Sequence, residues 1–151
     1  MKKTILIMTV LLFSFYQMIG QNNVNSSQFF KARDTIICFN CSSEQSTTVK
    51  KFTELILDKK YLEIKKLMQS GNAAERFLAA VACQKASSRK LIYLTKDDEK
   101  KISEIFNSQS LIYAYSNDTY IQIKPIKFYV HNREDRIIWA QAQRWLDKIL
   151  K

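Results

Sequence analysis

Asn72-Ala-Ala-Glu-Arg-Phe-Leu-Ala-Ala-Val-Ala-Cys83 is the stretch whose reading decides the fold. An Asn at the head of a helix can accept from an early backbone N–H, and Glu75 can reach back to complete a capping box. Ala74, Phe77, Leu78 and Val81 then recur at three- and four-residue intervals, an apolar helical stripe. Cys83 sits with Ala79, Ala80 and Ala86 away from that stripe, as on a second, tightly packed face.

Working outward, the helical spacing continues. Upstream, Val49, Phe52, Leu55 and Ile56 share one period, and Leu62, Leu67 and Met68 another, with a break or bend at Asp58-Lys59-Lys60. Ser70-Gly71 reads as a stop, because glycine readily takes the left-handed conformation at a helix end. Downstream, Thr95-Lys-Asp-Asp98 repeats the start signal ahead of Ile102, Ile105 and Phe106. Asn132-Arg-Glu-Asp135 repeats it again ahead of Ile138, Ala142, Trp145 and Ile149, with Trp145 a better core candidate than Trp139. Acidic residues in these first turns suit the helix dipole. Ser110 to Val130 breaks the pattern. Leu111–Tyr115 and Thr119–Ile123 are expected to pair as a β-hairpin across Ser116-Asn117-Asp118, the alternative being irregular or helical structure. Pro125 falls at its edge or past its end. Asp34-Thr-Ile-Ile-Cys-Phe39 reads as a short strand or an extended strap, and Ser42–Thr48 as a loop or helix lead-in. With Gly20, Gly71 and Pro125 the only glycines and proline, an all-β fold is disfavoured.

Paired short helices followed by Ser70-Gly-Asn-Ala-Ala-Glu-Arg-Phe-Leu-Ala-Ala-Val-Ala82 resemble one unit of HEAT-like helical-repeat proteins, over about residues 52–88. No second copy at a fixed period follows, although such arrays usually have three or more units. The resemblance implies protein binding and carries no active site. The expected class is therefore mainly α: a compact helical-hairpin or HEAT-like bundle with one β-hairpin at about 111–123 before the C-terminal helix.

The N-terminus reads as an address. Met1-Lys2-Lys3 precedes an apolar run from Ile5 to Tyr16, broken only by Thr9 and Ser14, and no acid occurs before Asp34. A positive start and an apolar stretch of about 7–15 residues form a secretory signal. The run is shorter than the ~20 residues of a membrane span, so the alternative, an uncleaved anchor, fits less well. Gly20-Gln21 offers a cleavage point. The expected organisation is a signal peptide at 1–20, an N-terminal extended segment with the CxxC at 21–45 (its start, Gln21–Gln28, polar and expected to be disordered), and a helical domain at 46–151. The mature chain is expected outside the cytoplasm, periplasmic or secreted, with no transmembrane segment.

Lys2 and Lys3 leave with the leader and no acid does, so net charge falls from +10 to +8. Lys50-Lys51, Lys59-Lys60, Lys65-Lys66 and Lys100-Lys101 alternate with Glu54, Asp58, Glu63 and Glu104, intervals that make helix-surface pairs. That is a solvated helical face, or one attracted to anionic envelope material. Export disfavours nucleic acid as a partner. Two glycines leave neither GxGxxG nor GxxxxGK[ST] to be written.

Cys38-Phe-Asn-Cys41 is the most chemical feature. Two thiols at this spacing can close a small disulfide, share a metal or act as a redox pair. With Cys83 the cysteines number three, so Cys83 either bridges to Cys38 or Cys41, tying the N-terminal segment to the body, or stays free. Thioredoxin-like chemistry would need repeated strands around the CxxC, and zinc would need a fourth ligand. His131 is the only histidine and stands some 90 residues away. A Cys–His–Asn arrangement of Cys83 or Cys38 with His131 and Asn132 has no surrounding motif. Asp97-Asp98-Glu99 and Glu134-Asp135 read as helix starts rather than catalytic carboxylates. Tyr113, Tyr115, Tyr120, Phe128 and Tyr129 read as core and cross-strand pairs before a carbohydrate- or partner-binding surface.

Two readings follow. The first is a non-enzymatic, exported protein-interaction module with an unknown protein partner and, as a further expected contact, an anionic envelope surface; it is expected to have no cofactor, no metal and no catalytic residue. The second is a thiol–disulfide redox protein using Cys38 and Cys41. The residues lean away from an enzyme without deciding it.

Overall fold

The computed structural model describes residues 36–40, 45–116, 120–132 and 136–150. Residues 1–35, with the expected signal peptide and polar segment, and 41–44, 117–119, 133–135 and 151, with Cys41, Asn117, Asp118, Glu134 and Asp135, lie outside them. A short strand β1 (Ile36–Ile37) opens the described chain. Four helices follow: α1 (Thr47–Leu57), α2 (Tyr61–Lys66, continued by a 3-10 turn, Leu67–Gln69), α3 (Ala73–Ser88) and α4 (Lys96–Phe106). A hairpin of β2 (Leu111–Ser116) and β3 (Tyr120–Pro125) then leads into α5 (Ile126–His131) and α6 (Ile137–Ile149). The protein is mainly helical, with a small three-stranded sheet in the order β1-β2-β3.

α3 is the axle. Ala74, Phe77, Leu78, Ala79, Ala80, Val81, Cys83 and Ala86 are all buried, because α1, α2, α4, α6 and β2 pack around it. Small residues on its second face let neighbouring backbones approach, where larger side chains would hold them apart. Each smaller helix buries one stripe: Val49, Phe52 and Ile56 from α1; Ile102, Ile105 and Phe106 from α4; Ile138, Ala142, Trp145 and Leu146 from α6. Trp139 is half-buried and meets Phe106 edge-on at 5.2 Å and Phe77 at 6.4 Å.

The hairpin is antiparallel, pairing Leu111 with Pro125 and Ser116 with Tyr120, so β2 ends one residue and β3 two residues later than the sequence suggested. Ile112 and Ala114 are buried while Leu111 is exposed, the period-two alternation of a sheet covered on one face. β1 adds a parallel edge, Ile36 opposite Tyr113 and Ile37 opposite Ala114. The short strand read at Asp34–Phe39 thus forms and belongs to the same core as the helices. Pro125 ends β3 and stands at the N-cap of α5, a helix the β-rich composition concealed. Inside it Tyr129 is fully buried, its hydroxyl donating to the Gln122 carbonyl at 3.0 Å.

The helix-start signals fare unequally. Thr95 and Asp98 form a full capping box. Asn72 caps α3 by accepting from the Ala74 and Glu75 N–H groups, but Glu75 does not reach back. Its carboxylate instead accepts from Ser70 Oγ and from Lys51 Nζ at 2.6 Å, because both donors converge on it. Asn132 does not open α6; it is the C-cap of α5, and α6 starts at Ile137 behind Arg136. Leu62 does not join the core stripe, since Ile64 and Met68 take the inward positions of that segment.

The stops differ too. Gly71 is not left-handed; Ser70 is extended and its Oγ accepts from the Asn72 N–H at 3.0 Å, which turns the chain without a positive φ. Among the described residues the left-handed ones are Lys59 (φ 56°) and Lys90 (φ 59°). After each, two reverse bonds close the helix end: Lys59 N–H to Ile56 and Lys60 N–H to Leu55, then Lys90 N–H to Ser87 and Leu91 N–H to Ala86. Both are Schellman turns, with lysine in the seat glycine usually takes.

Candidate functional site

Two clefts carry the side chains that the core does not use. The first is walled by the two lysine-led turns. Tyr61, Leu62, Leu91, Ile92 and Tyr93 line a depression of about 400 Å³ with Lys59 and Lys65 beside them. Leu62 is 76 % exposed and Tyr93 84 %. An isolated exposed leucine is ordinary, but adjoining large apolar side chains in one concavity mark a contact surface. The left-handed lysines cause the exposure. Each reverses the chain within two residues of its helix end, so the following side chains are carried over the outer face of the bundle instead of into it. Lys65 also pairs with Asp98 at 2.6 Å. Burial would raise the Asp98 pKa, but hydrogen bonds from Lys65 and Thr95 and the Lys65 charge outweigh it and hold the carboxyl below its ordinary value.

The second cleft, about 350 Å³, lies between the segment after β1 and the outer face of α6. Phe39, Asn40 and Gln45 form one wall, Tyr115 stands at the sheet end, and Gln141, Arg144, Trp145 and Lys148 come from α6. Phe39 and Trp145 pack at 5.3 Å with their rings tilted by 44°. A polar chain fixes them: Trp145 Nε1–H donates to Thr53 Oγ1 at 3.1 Å, while the Thr53 hydroxyl lies 3.0 Å from Gln45 Oε1 and 2.9 Å from the Val49 carbonyl. The segment carrying Phe39 is itself clasped, because Cys38 N–H donates to Ser46 Oγ at 3.1 Å and Ser46 N–H to the Cys38 carbonyl at 2.9 Å. Charge on α6 is divided. Asp147 pairs with Lys85 at 2.9 Å and Arg89 at 2.5 Å on the α3 side, and Arg89 donates to the Leu150 carbonyl as well. Arg144 and Lys148, on the cleft side, have no acidic partner among the described residues. Gln141 Oε1 is buried and accepts no hydrogen bond there.

The cysteines separate. Cys83 is a free thiol, 1 % exposed on the small-residue face of α3, so the bridge from Cys83 to Cys38 or Cys41 does not form. Burial, with Asp98 adding to it against Lys65, pushes its pKa up to about 12. A thiol so held is neutral at physiological pH and a poor nucleophile. Cys38 is 2 % exposed and disulfide-bonded; Cys41 is outside the described residues. His131 is exposed at the C-terminal end of α5. No group of His, Cys, Asp and Glu able to hold a metal occurs among the described residues, and no described helix is long and apolar enough to cross a membrane.

Residues of both clefts escaped the sequence reading. Gln141, Arg144, Trp145 and Lys148 recur at helical spacing, but the cleft exists only where Phe39, Asn40 and Gln45 face them. Leu91 and Tyr93 follow a lysine whose positive φ has no sequence signature. No family model matches the chain, and no curated protein or solved structure matches it.

Proposed function

We propose that this chain is an exported, non-enzymatic module that binds another protein through the cleft between its two lysine-led turns. One observation carries the reading: Leu62 and Tyr93, two large apolar side chains, stand exposed around one concavity. The rim supplies Lys59 and Lys65, with Lys90 exposed in the adjoining turn. The fitting partner is an amphipathic segment offering apolar side chains to Leu62, Leu91 and Tyr93 and acidic residues to Lys59 and Lys90, Lys65 being held by Asp98. Aromatic and aliphatic anchors in a pocket supply most of an interface's binding energy, and rim charges mainly steer the approach. The helical-repeat resemblance over residues 52–88 agrees with such a role, since α1, α2 and α3 form the cleft's frame.

Export rests on the leader at residues 1–20 and on a bridge between Cys38 and Cys41. The disulfide state of Cys38 together with the free Cys83 supports that pairing. Burial of Cys38 favours a structural bridge over a redox couple, which needs an attackable sulfur. The test is affinity capture from the envelope fraction with the natural chain and with Leu62→Ser/Tyr93→Ser. The expected result is a stoichiometric partner lost with the double variant; equal capture by both proteins would overturn the assignment of the surface.

A further inference from the structure

We propose that the occupant of the cleft between the lysine-led turns is an extended peptide segment, which adds as a strand along Leu91–Leu94. The inference rests on the surface proposed above and goes further, assigning the partner's conformation and the groups that pair with it.

The main chain carries the argument. Leu91 N–H is tied to the Ala86 carbonyl at 2.9 Å, and Thr95 N–H to the Asp98 carboxylate at 2.8 Å. Between those two ties, Ile92, Tyr93 and Leu94 make no hydrogen bond among the described residues, by N–H or by carbonyl. The stretch lies outside every described helix and strand. Its side chains alternate: Leu91 and Tyr93 are exposed, while Ile92 and Leu94 are partly buried and pack against the core. Alternation at period two belongs to an extended chain. A row of unpaired N–H and C=O groups on such a chain is a template for strand addition. Because both ends and every second side chain are already held, pairing orders little that is free, which favours binding.

The rest of the cleft suits the same occupant. Tyr61 and Leu62 stand with Leu91 and Tyr93 around about 400 Å³ of open space. A strand laid along Leu91–Leu94 presents alternate side chains on one face, where apolar ones join Leu62, Leu91 and Tyr93. Acidic residues flanking the strand meet Lys59 and Lys90, both exposed. An amphipathic helix would cover the apolar side chains but leave the open main chain to water, since a helix spends its own N–H and C=O groups internally.

The test titrates the full chain with the acetylated, amidated peptide Glu-Val-Thr-Val-Thr-Val-Glu and with two N-methylated forms, one methylated at the valines and one at the threonines. In a strand the N–H groups of alternate residues point to opposite edges. The parent peptide is expected to saturate. One methylated form should bind about tenfold or more weaker, the scale of one or two lost hydrogen bonds, and the other like the parent. Hydrogen exchange should slow on saturation at amides within Ile92–Leu94. Leu62→Ser/Tyr93→Ser, with its fold checked by circular dichroism, should weaken the parent. No saturation to the limit of peptide solubility, two methylated forms that bind alike, or unchanged exchange at Ile92–Leu94 would each overturn the strand. An acidic amphipathic helical peptide separates this failure from that of the surface. If it binds, and is lost with the double variant, while the parent strand peptide does not bind, the strand is overturned and the surface stands. If neither peptide binds and envelope capture is equal for both proteins, the surface falls too.

Discussion

Cys38 and Ser46 hold each other twice, the Cys38 N–H donating to Ser46 Oγ and the Ser46 N–H to the Cys38 carbonyl. Ser46 is the N-cap of α1, yet its hydroxyl makes no cap bond. It is spent on the strap, and the first turn of α1 forgoes a side-chain acceptor that an N-cap serine normally supplies. Ser46→Ala is therefore expected to loosen the segment carrying Phe39 rather than fray α1. Unfolding free energy should fall by about 1–2 kcal/mol, the cost of withdrawing the acceptor from a buried N–H. Urea unfolding with hydrogen exchange at Cys38 and in the first turn of α1 reads the difference. Faster exchange confined to α1 would contradict the strap's role.

Lysine at a left-handed position costs about 1–2 kcal/mol relative to an unstrained backbone, because its Cβ crowds the following carbonyl. Lys59 and Lys90 both bear it. Lys59→Gly and Lys90→Gly should each raise stability by about 0.5–1 kcal/mol, the strain relieved less the entropy glycine adds to the unfolded chain. Thermal denaturation should show the melting temperature rising in both. Partner capture should weaken in Lys59→Gly if that lysine's charge serves the rim, which separates stability from function at one position.

Cys83 has a raised pKa and almost no exposure. Native protein at pH 8 should leave this thiol unreacted with a disulfide-exchange reagent over a time in which denatured protein reacts fully. The rate should follow local or global opening rather than thiolate concentration. A prompt native reaction at Cys83 would mean that α3 is not packed on its small-residue face.

The legibility of the sequence tracked what each signal depends on. Thr95 and Asp98 announced α4 because a capping box is local: both partners lie within four residues. The α3 stripe and the hairpin were visible for the same reason, their periods being set by backbone geometry. Leu62 misled because Ile64 competes for the same inward position, and only tertiary packing chooses between them. Asn132 misled because one residue can end a helix as well as begin one. Gly71 did not take its expected left-handed role, since a serine hydroxyl turned the chain there; the break read at Asp58-Lys59-Lys60 does occur, and Schellman bonds hold Lys59 and Lys90 left-handed, which no local signal announces. The clefts were least legible. They bring Phe39, Asn40 and Gln45 against residues 141–148, and residues 59–65 against 91–93, separations that no spacing rule spans.

Acid should weaken the fold in a definite direction. Glu75, Asp98 and Asp147 all have lowered pKa values. For Glu75 burial works to raise it, but hydrogen bonds from Lys51 and Ser70 and the Lys51 charge prevail; Asp98 follows the same balance with Lys65 and Thr95. For Asp147 the Lys85 hydrogen bond leads, against a smaller effect of burial and with Arg89 helping. A carboxyl whose folded pKa lies below its unfolded value binds protons more readily in the unfolded chain. The stability it adds is complete above the ordinary carboxylate range, near pH 4, and is lost as pH falls through the folded value. Urea midpoints should therefore be flat from about pH 7 to 5 and fall steadily below about pH 4. Glu75→Gln and Asp98→Asn should lower the plateau and flatten the acid limb, because they remove the group that titrates. An acid limb as steep in both variants as in the natural chain would assign the loss to other carboxylates.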